Sequence, residues 1–170
     1  IPDSKIILYN FEKLSGYKFS EKIVYQLVEN FPDQIIGVKD SSYNLFEKLK
    51  INNFSLMPGS ESKLLKGLDL GCSGIITATT NATASLARNV YENFTKKKEQ
   101  NLNEKLCKIR AVFDQYNLIS GLHTFFGQND PNYHNILPPL RILNENEKNN
   151  LLNQLDLSLI HISEPTRHRL

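Results

Sequence analysis

Gln34-Ile-Ile-Gly-Val-Lys39 is a short apolar run that ends abruptly on a lysine. A run of this length with no polar alternation reads as a strand covered on both faces, as in parallel sheets. The same unit recurs on either side. Upstream, Lys5-Ile-Ile-Leu-Tyr-Asn10 is another buried strand, and Ser20 offers an N-cap to a helix whose Ile23, Val24, Leu27, Val28 and Phe31 share a face before Pro32 stops it. Downstream, the pattern predicts a helix over 44–50 with Leu45, Phe46 and Leu49 inward, and a third strand over 54–57 closed by Pro58-Gly59. A short helix then follows, capped by Ser60 and carrying Leu64, Leu65 and Leu68. A fourth strand over 74–77 leads to a helix from Asn81 to about Lys98, with Leu86, Val90 and Phe94 inward. Strand and helix alternating four times argue for parallel strands with covering helices.

Beyond residue 98 the pattern changes. Leu102, Leu106, Ile109, Val112, Phe113 and Tyr116 keep a helical period with no strand partner. A further helix is expected over 118–126, loops at Asn129-Asp-Pro-Asn132 and Pro138-Pro139, and a last helix opened by the capping-box pair Asn144 and Glu147. The expected organisation is therefore strand–helix units over 1–98 and a helical extension over 99–156. Residues 157–170, with Leu-Ile-His-Ile before Ser163-Glu-Pro-Thr-Arg167, read as a translated transposase-type sequencing adapter and are set aside. That removes Arg167, Arg169 and Glu164 and lowers the net charge from +2 to +1. The chain opens on Ile1 rather than Met and is expected to be a piece of a longer protein.

Composition excludes several classes. A 170-residue chain with 40% hydrophobic residues and a net charge of +2 is neither disordered nor a polycation seeking nucleic acid. No apolar run reaches the roughly 20 residues of a membrane span, and no signal peptide is evident. Cys72 and Cys107 are too few and too far apart for a disulfide framework or a zinc site; no metal is expected.

Polar residues gather where the strands end: Tyr9 and Asn10, Lys39 and Asp40, Gly59 and Glu61, Thr77 and Thr79. In a parallel α/β barrel that rim carries the active site. Partial desolvation of Lys39 there would disfavour its ammonium and free the amine as a nucleophile for a ketone. Tyr9 on the neighbouring strand could move a proton.

Four stretches, Leu8–Gly16, Ile35–Ser42, Pro58-Gly-Ser-Glu61 and Leu70–Asn81, resemble in order and spacing the dihydrodipicolinate synthase / N-acetylneuraminate lyase family of pyruvate-dependent class I aldolases. The similarity extends to about residue 155 and includes Pro138-Pro-Leu140. The resemblance implies the C-terminal half of a (β/α)8 TIM barrel plus a C-terminal helical extension. It also implies a cytoplasmic lyase that is a homotetramer at full length and uses no cofactor. Lys39 is then the lysine that forms a Schiff base with pyruvate or a 2-keto acid, and Tyr9 the proton-relay tyrosine. Ile76 would present its backbone carbonyl to the site. Gly59, Glu61 and Ser41 match positions that reach the second substrate, with Glu61 suited to sugar hydroxyls.

Departures narrow the substrate. An arginine that the synthase branch uses for aspartate semialdehyde is here Leu14, which points away from the synthase and toward aldolases for 2-keto-3-deoxy sugar acids. Glu12 stands where the family often has proline, and Ala78 where sialic acid lyases have serine. A full barrel takes about 250 residues, so the carboxylate-binding threonines of the family lie outside this chain, and the chain alone is expected to be inactive. Dihydrodipicolinate synthase itself stays the nearest rival, and a non-catalytic, ligand-sensing member of the fold is the rival from a different class.

Each residue also has a plainer reading. Glu61 could simply favour the first turn of its helix, and Gly59 and Gly74 could serve backbone geometry. Cys72, Cys107, His123 and His134 read as structural, Lys96-Lys-Lys98 as a solvated helix end, and the three Asn-x-Thr/Ser triplets at 53, 81 and 93 as chance matches.

Overall fold

Three apolar runs pair side by side because each carries alternating backbone donors and acceptors that only a neighbouring strand can satisfy in a dry interior. The computed structural model describes residues 4–157. The strands are β1 (Ile6–Asn10), β2 (Ile35–Asp40) and β3 (Ser55–Pro58). They form a parallel sheet in the order β1-β2-β3, with Tyr9 opposite Lys39 and Lys39 opposite Met57. Around them run α1 (Glu12–Ser15), α2 (Glu21–Asn30), a 3-10 turn (Glu61–Lys63) and α3 (Leu64–Asp69). Ser20 caps α2 by accepting the Ile23 N–H, as the sequence predicts, while Phe31 ends that helix half exposed rather than inward.

Side chains alternate across the sheet. Leu8, Val38 and Leu56 turn to the helix-covered side and pack with Val24, Leu45, Phe46, Leu49 and Cys72. By the register, Ile7, Tyr9, Gly37, Lys39, Ser55 and Met57 share the opposite face. The expectation that β1 is buried on both sides is corrected here: Ile6, Ile7 and Tyr9 are each more than 40% exposed. Among the described residues β1 stands at the end of the sheet order, and its second face is partly exposed.

Two further expectations are corrected. Residues 44–50 form turns, not a helix. The Asp40 carboxylate accepts the N–H groups of Leu45 and Phe46, donors that the first turn of a helix leaves free, but one helical turn is all that follows: the Leu49 N–H reaches the Leu45 carbonyl at 2.9 Å and the chain then leaves the helical path. Leu45, Phe46 and Leu49 are nonetheless fully buried, as their apolar character requires. Residues 74–77 form no ladder strand. Ser73 and Ile76 each send one N–H to β3 carbonyls, of Leu56 and Pro58, and between them Gly74 sits at φ 147°, which breaks the extended run.

The chain divides into two compact units between Thr77 and Ala78. The second unit holds α4 (Thr80–Thr95), α5 (Asn103–Phe113), α6 (Leu118–Phe126), a 3-10 turn (Pro131–His134) and α7 (Glu145–Leu157). Its core gathers Ile109, Val112, Phe113, Leu122, Leu143, Leu151 and Leu155. Asn144 and Glu147 exchange side chain-to-backbone bonds of 3.0 and 2.8 Å, the capping box read from the sequence. Apart from Leu157, the adapter-like tail lies outside the described residues.

Candidate active site

Tyr9, Lys39, Ser41, Gly59 and Glu61 lie at or just after the C-terminal ends of the strands of the first unit, Ile76 and Thr77 lie in the same unit, and Thr79 falls in the second. Parallel pairing brings Tyr9 and Lys39 to the same rung and the same face. The Lys39 Nζ stands 4.1 Å from the centroid of the Tyr9 ring. A cation over an aromatic face is held by the ring quadrupole, worth roughly 0.5–1 kcal/mol at an exposed site. Tyr9 is 43% exposed and Lys39 half-buried, so both remain open to a small molecule. Phe11, with its ring 5.7 Å from that of Tyr9, adds an apolar wall.

Ser41 and Gly59 are also brought together. The Gly59 N–H donates to the Asp40 carbonyl at 3.0 Å. A Cβ at Gly59 would run into the Ser41 Oγ. This glycine is required by close approach, whatever else it does. Glu61 is 1% exposed, and the Thr77 hydroxyl donates to its Oε2 at 3.0 Å. Ile76 lies beside this loop with its N–H on the Pro58 carbonyl and its side chain 37% exposed. Leu14 projects from α1 and is 72% exposed.

A group assigned no role from the sequence is the buried pair Asn10 and Asp40 with the part-buried Asn44, linked by side-chain hydrogen bonds beneath Tyr9 and Lys39. Its one signal in the sequence is a carboxamide and a carboxylate closing two otherwise apolar strands. Among the described residues no three His, Cys, Asp or Glu side chains are grouped to hold a metal, and no helix is long and apolar enough to cross a membrane. A cavity of about 330 Å³ in the second unit is lined in part by Tyr116, Ser120, Arg141 and Glu147. Its charges are already spent on each other. Arg141 grips Glu147 with two nitrogens at 2.9 and 3.2 Å, which holds the Glu147 carboxyl below its ordinary range.

The model of the dihydrodipicolinate synthetase family matches residues 1–157. An uncharacterized DapA-like lyase of Halobacterium salinarum is 25% identical over 153 residues, covering 86% of this chain and 50% of that protein. A 2-dehydro-3-deoxy-phosphogluconate/2-dehydro-3-deoxy-6-phosphogalactonate aldolase of Sulfurisphaera tokodaii is 28% identical over 125 residues, covering 69% of this chain and 41% of that protein. Among solved structures, dihydrodipicolinate synthase from Cyanidioschyzon merolae superposes with a TM-score of 0.82 at 17% identity, over 92% of this chain and 55% of that one. At that identity the likeness shows the fold, a partial TIM barrel with its helical extension. The chain spans about half the length of the curated relatives it matches.

Proposed function

Since this chain belongs to the dihydrodipicolinate synthetase family, we propose that the full-length protein is a lyase that makes or breaks a carbon–carbon bond through a Schiff base on Lys39. The observation that carries the reading is the Lys39 amine standing over Tyr9 on adjacent strand ends. The neutral amine adds to the C2 ketone of pyruvate or a 2-keto acid, and loss of water gives the imine. With a 4-hydroxy-2-keto acid bound, the protonated imine draws electrons from the C3–C4 bond as the C4 hydroxyl loses its proton, so an aldehyde leaves and an enamine remains; with pyruvate bound, loss of a C3 proton gives the same enamine. Reprotonation at C3 and hydrolysis then release pyruvate and Lys39. Tyr9 carries protons to and from the aldehyde oxygen, and the Ile76 carbonyl orients the bound substrate. Ser41, Gly59 and Glu61 contact the aldehyde portion. Glu61 already accepts a hydroxyl from Thr77, the type of donor a sugar acid would offer.

A 2-keto-3-deoxy sugar acid is the preferred substrate class, supported by Leu14 in place of an arginine and by the Sulfurisphaera relative's name. Synthesis of hydroxy-tetrahydrodipicolinate from aspartate semialdehyde is the second reading, favoured by the family's own description. A homotetramer acting in the cytoplasm, needing no metal or organic cofactor and binding neither nucleic acid nor membrane, completes the proposal. The 170-residue chain alone is expected to be inactive.

The test is borohydride reduction of the full-length gene product in the presence of pyruvate, followed by peptide mass mapping. A pyruvyl adduct on Lys39 is expected. Folded protein without any adduct would overturn the aldolase reading in favour of a ligand-sensing protein. Separate assays of sugar-acid cleavage and aspartate-semialdehyde condensation divide the two substrate readings.

A further inference from the structure

Asn10 and Asp40 directly follow Tyr9 and Lys39 and pair one rung beyond them across the β1–β2 ladder. Both are 0% exposed, and strand alternation turns them to the opposite face from the reacting pair. Burying a carboxamide and a carboxylate is costly unless their hydrogen bonds are made. Here they are. Asn10 Nδ2 donates to Asp40 Oδ1 and to Asn44 Oδ1, both at 2.8 Å, and Asn10 Oδ1 accepts the Phe19 N–H at 3.0 Å. Asp40 Oδ2 accepts the N–H groups of Leu45 and Phe46 at 2.8 and 2.9 Å. Asn44 Nδ2 donates to the Phe19 carbonyl at 2.9 Å.

The backbone of the same two residues is equally committed. The Asn10 carbonyl accepts from Ser41 and Ser42, and the Asp40 carbonyl accepts from Gly59. The loops after all three strands are therefore tied to this pair. An apolar pair could fill the same volume, and such replacements are often neutral or stabilising. It would supply no direction, and the two strand ends could slide. Directional bonds on residues 10 and 40 set the backbone angles that aim the side chains of 9 and 39.

We infer that Asn10 and Asp40 are positioning residues: they lock the strand ends so that the Lys39 amine stands over the Tyr9 ring where a ketone can reach it. This rests on the reading of Lys39 as the imine-forming lysine. Asp40→Asn must keep its remaining oxygen toward Leu45 and Phe46, so its new amide opposes the Asn10 amide, donor against donor. The swap Asn10→Asp with Asp40→Asn restores one donor and one acceptor across that gap, at the cost of the Asn10 donation to Asn44 Oδ1.

The experiment measures the rate of Lys39 adduct formation, by timed borohydride quench of the full-length gene product over a range of pyruvate concentrations, per folded molecule by circular dichroism. A misplacement of about 1 Å can cost about 100-fold, so D40N is expected to lower the saturating rate about 10- to 100-fold. The half-saturating pyruvate concentration should change less than about twofold, and the swap should recover part of the rate, to the level of Asn44→Ala, since it too lacks the bond from residue 10 to Asn44. Asn44→Ala, at the part-buried rim of the network, is the milder variant if D40N does not fold, with an expected loss of about three- to tenfold. A purely structural role would lower the melting temperature and leave the rate per folded molecule unchanged. That result in D40N, or in Asn44→Ala where D40N does not fold, overturns the inference alone. An absence of adduct in the unmutated protein overturns both it and the Schiff-base reading.

Discussion

Gly37 is the position where one methyl group should disturb both stability and chemistry. It sits in the middle of β2, opposite Ser55 of β3 and two residues before Lys39 on the same face. A Cβ built there lies 2.6 Å from the Ser55 carbonyl oxygen and 3.0 Å from the Ser55 Cβ. An ordinary contact begins at 3.4 Å, so Gly37→Ala demands a local shift of about 0.8 Å. The obstacle is backbone and cannot rotate away. If the strands part by that amount, ladder bonds near 2.9 Å stretch beyond 3.5 Å, where they cease to be hydrogen bonds. Overpacking of this kind costs about 1–3 kcal/mol. A comparable displacement carried two residues along should slow Lys39 imine formation by about tenfold or more. Urea titration of the full-length gene product should show a lower midpoint with an unchanged slope, and timed borohydride quench should show the slower adduct. Ser55→Gly removes the second contact and not the first, so Gly37→Ala/Ser55→Gly should remain destabilised. An unchanged midpoint for Gly37→Ala, or rescue by Ser55→Gly, would refute the geometry.

Gly59→Ala offers the contrasting case. Its nearest obstacle is the tip of the Ser41 side chain, so the loss of about 1–3 kcal/mol should be largely recovered in Gly59→Ala/Ser41→Gly, read by the same titration. Lys39→Arg keeps a cation for the Tyr9 ring but has no amine that can form an imine; it should melt within about 2 °C of the parent and give no pyruvate adduct. Burial pushes the Cys72 thiol up to about 11, against a smaller opposing pull from Lys50. The unfolded chain therefore loses this proton first, and stability should fall as pH rises from 9 toward 11. Denaturant midpoints across that range should show the fall in the parent and a smaller one in Cys72→Ala. Asn144→Ala removes the acceptor for the Glu147 N–H and should cost about 1 kcal/mol, visible as a lower melting temperature.

Much of the candidate site is legible before any coordinates. Tyr9 and Lys39 each end an apolar run, and parallel pairing of two such runs puts their last residues on one rung. The paired ends follow from the pattern; the 4.1 Å stacking of amine on ring does not. Glu61 shows the limit. Its position at the start of a helical turn is readable, but its burial beneath the Thr77 hydroxyl joins residues sixteen apart, a contact no local pattern encodes.

What the sequence determined by itself is the set of local conflicts with only one good resolution. Apolar runs must be covered, Ser20 and Asn144 must satisfy helix N–H groups, and Lys39 must stand at a strand end. Tertiary structure decided where two local preferences competed. Residues 44–50 have the apolar spacing of a helix, yet they close a single turn, with the Leu49 N–H on the Leu45 carbonyl, while the Asp40 carboxylate of β2 holds the Leu45 and Phe46 N–H groups that open it. Residues 74–77 have the composition of a strand, yet they join no ladder: Ile76 sends its N–H to the Pro58 carbonyl, while Gly74 at φ 147° turns the backbone out of the extended run. The physical reason is common to both. Side-chain pattern reports what a segment would bury, whereas the backbone bonds it finally makes depend on which partners the rest of the fold brings within reach.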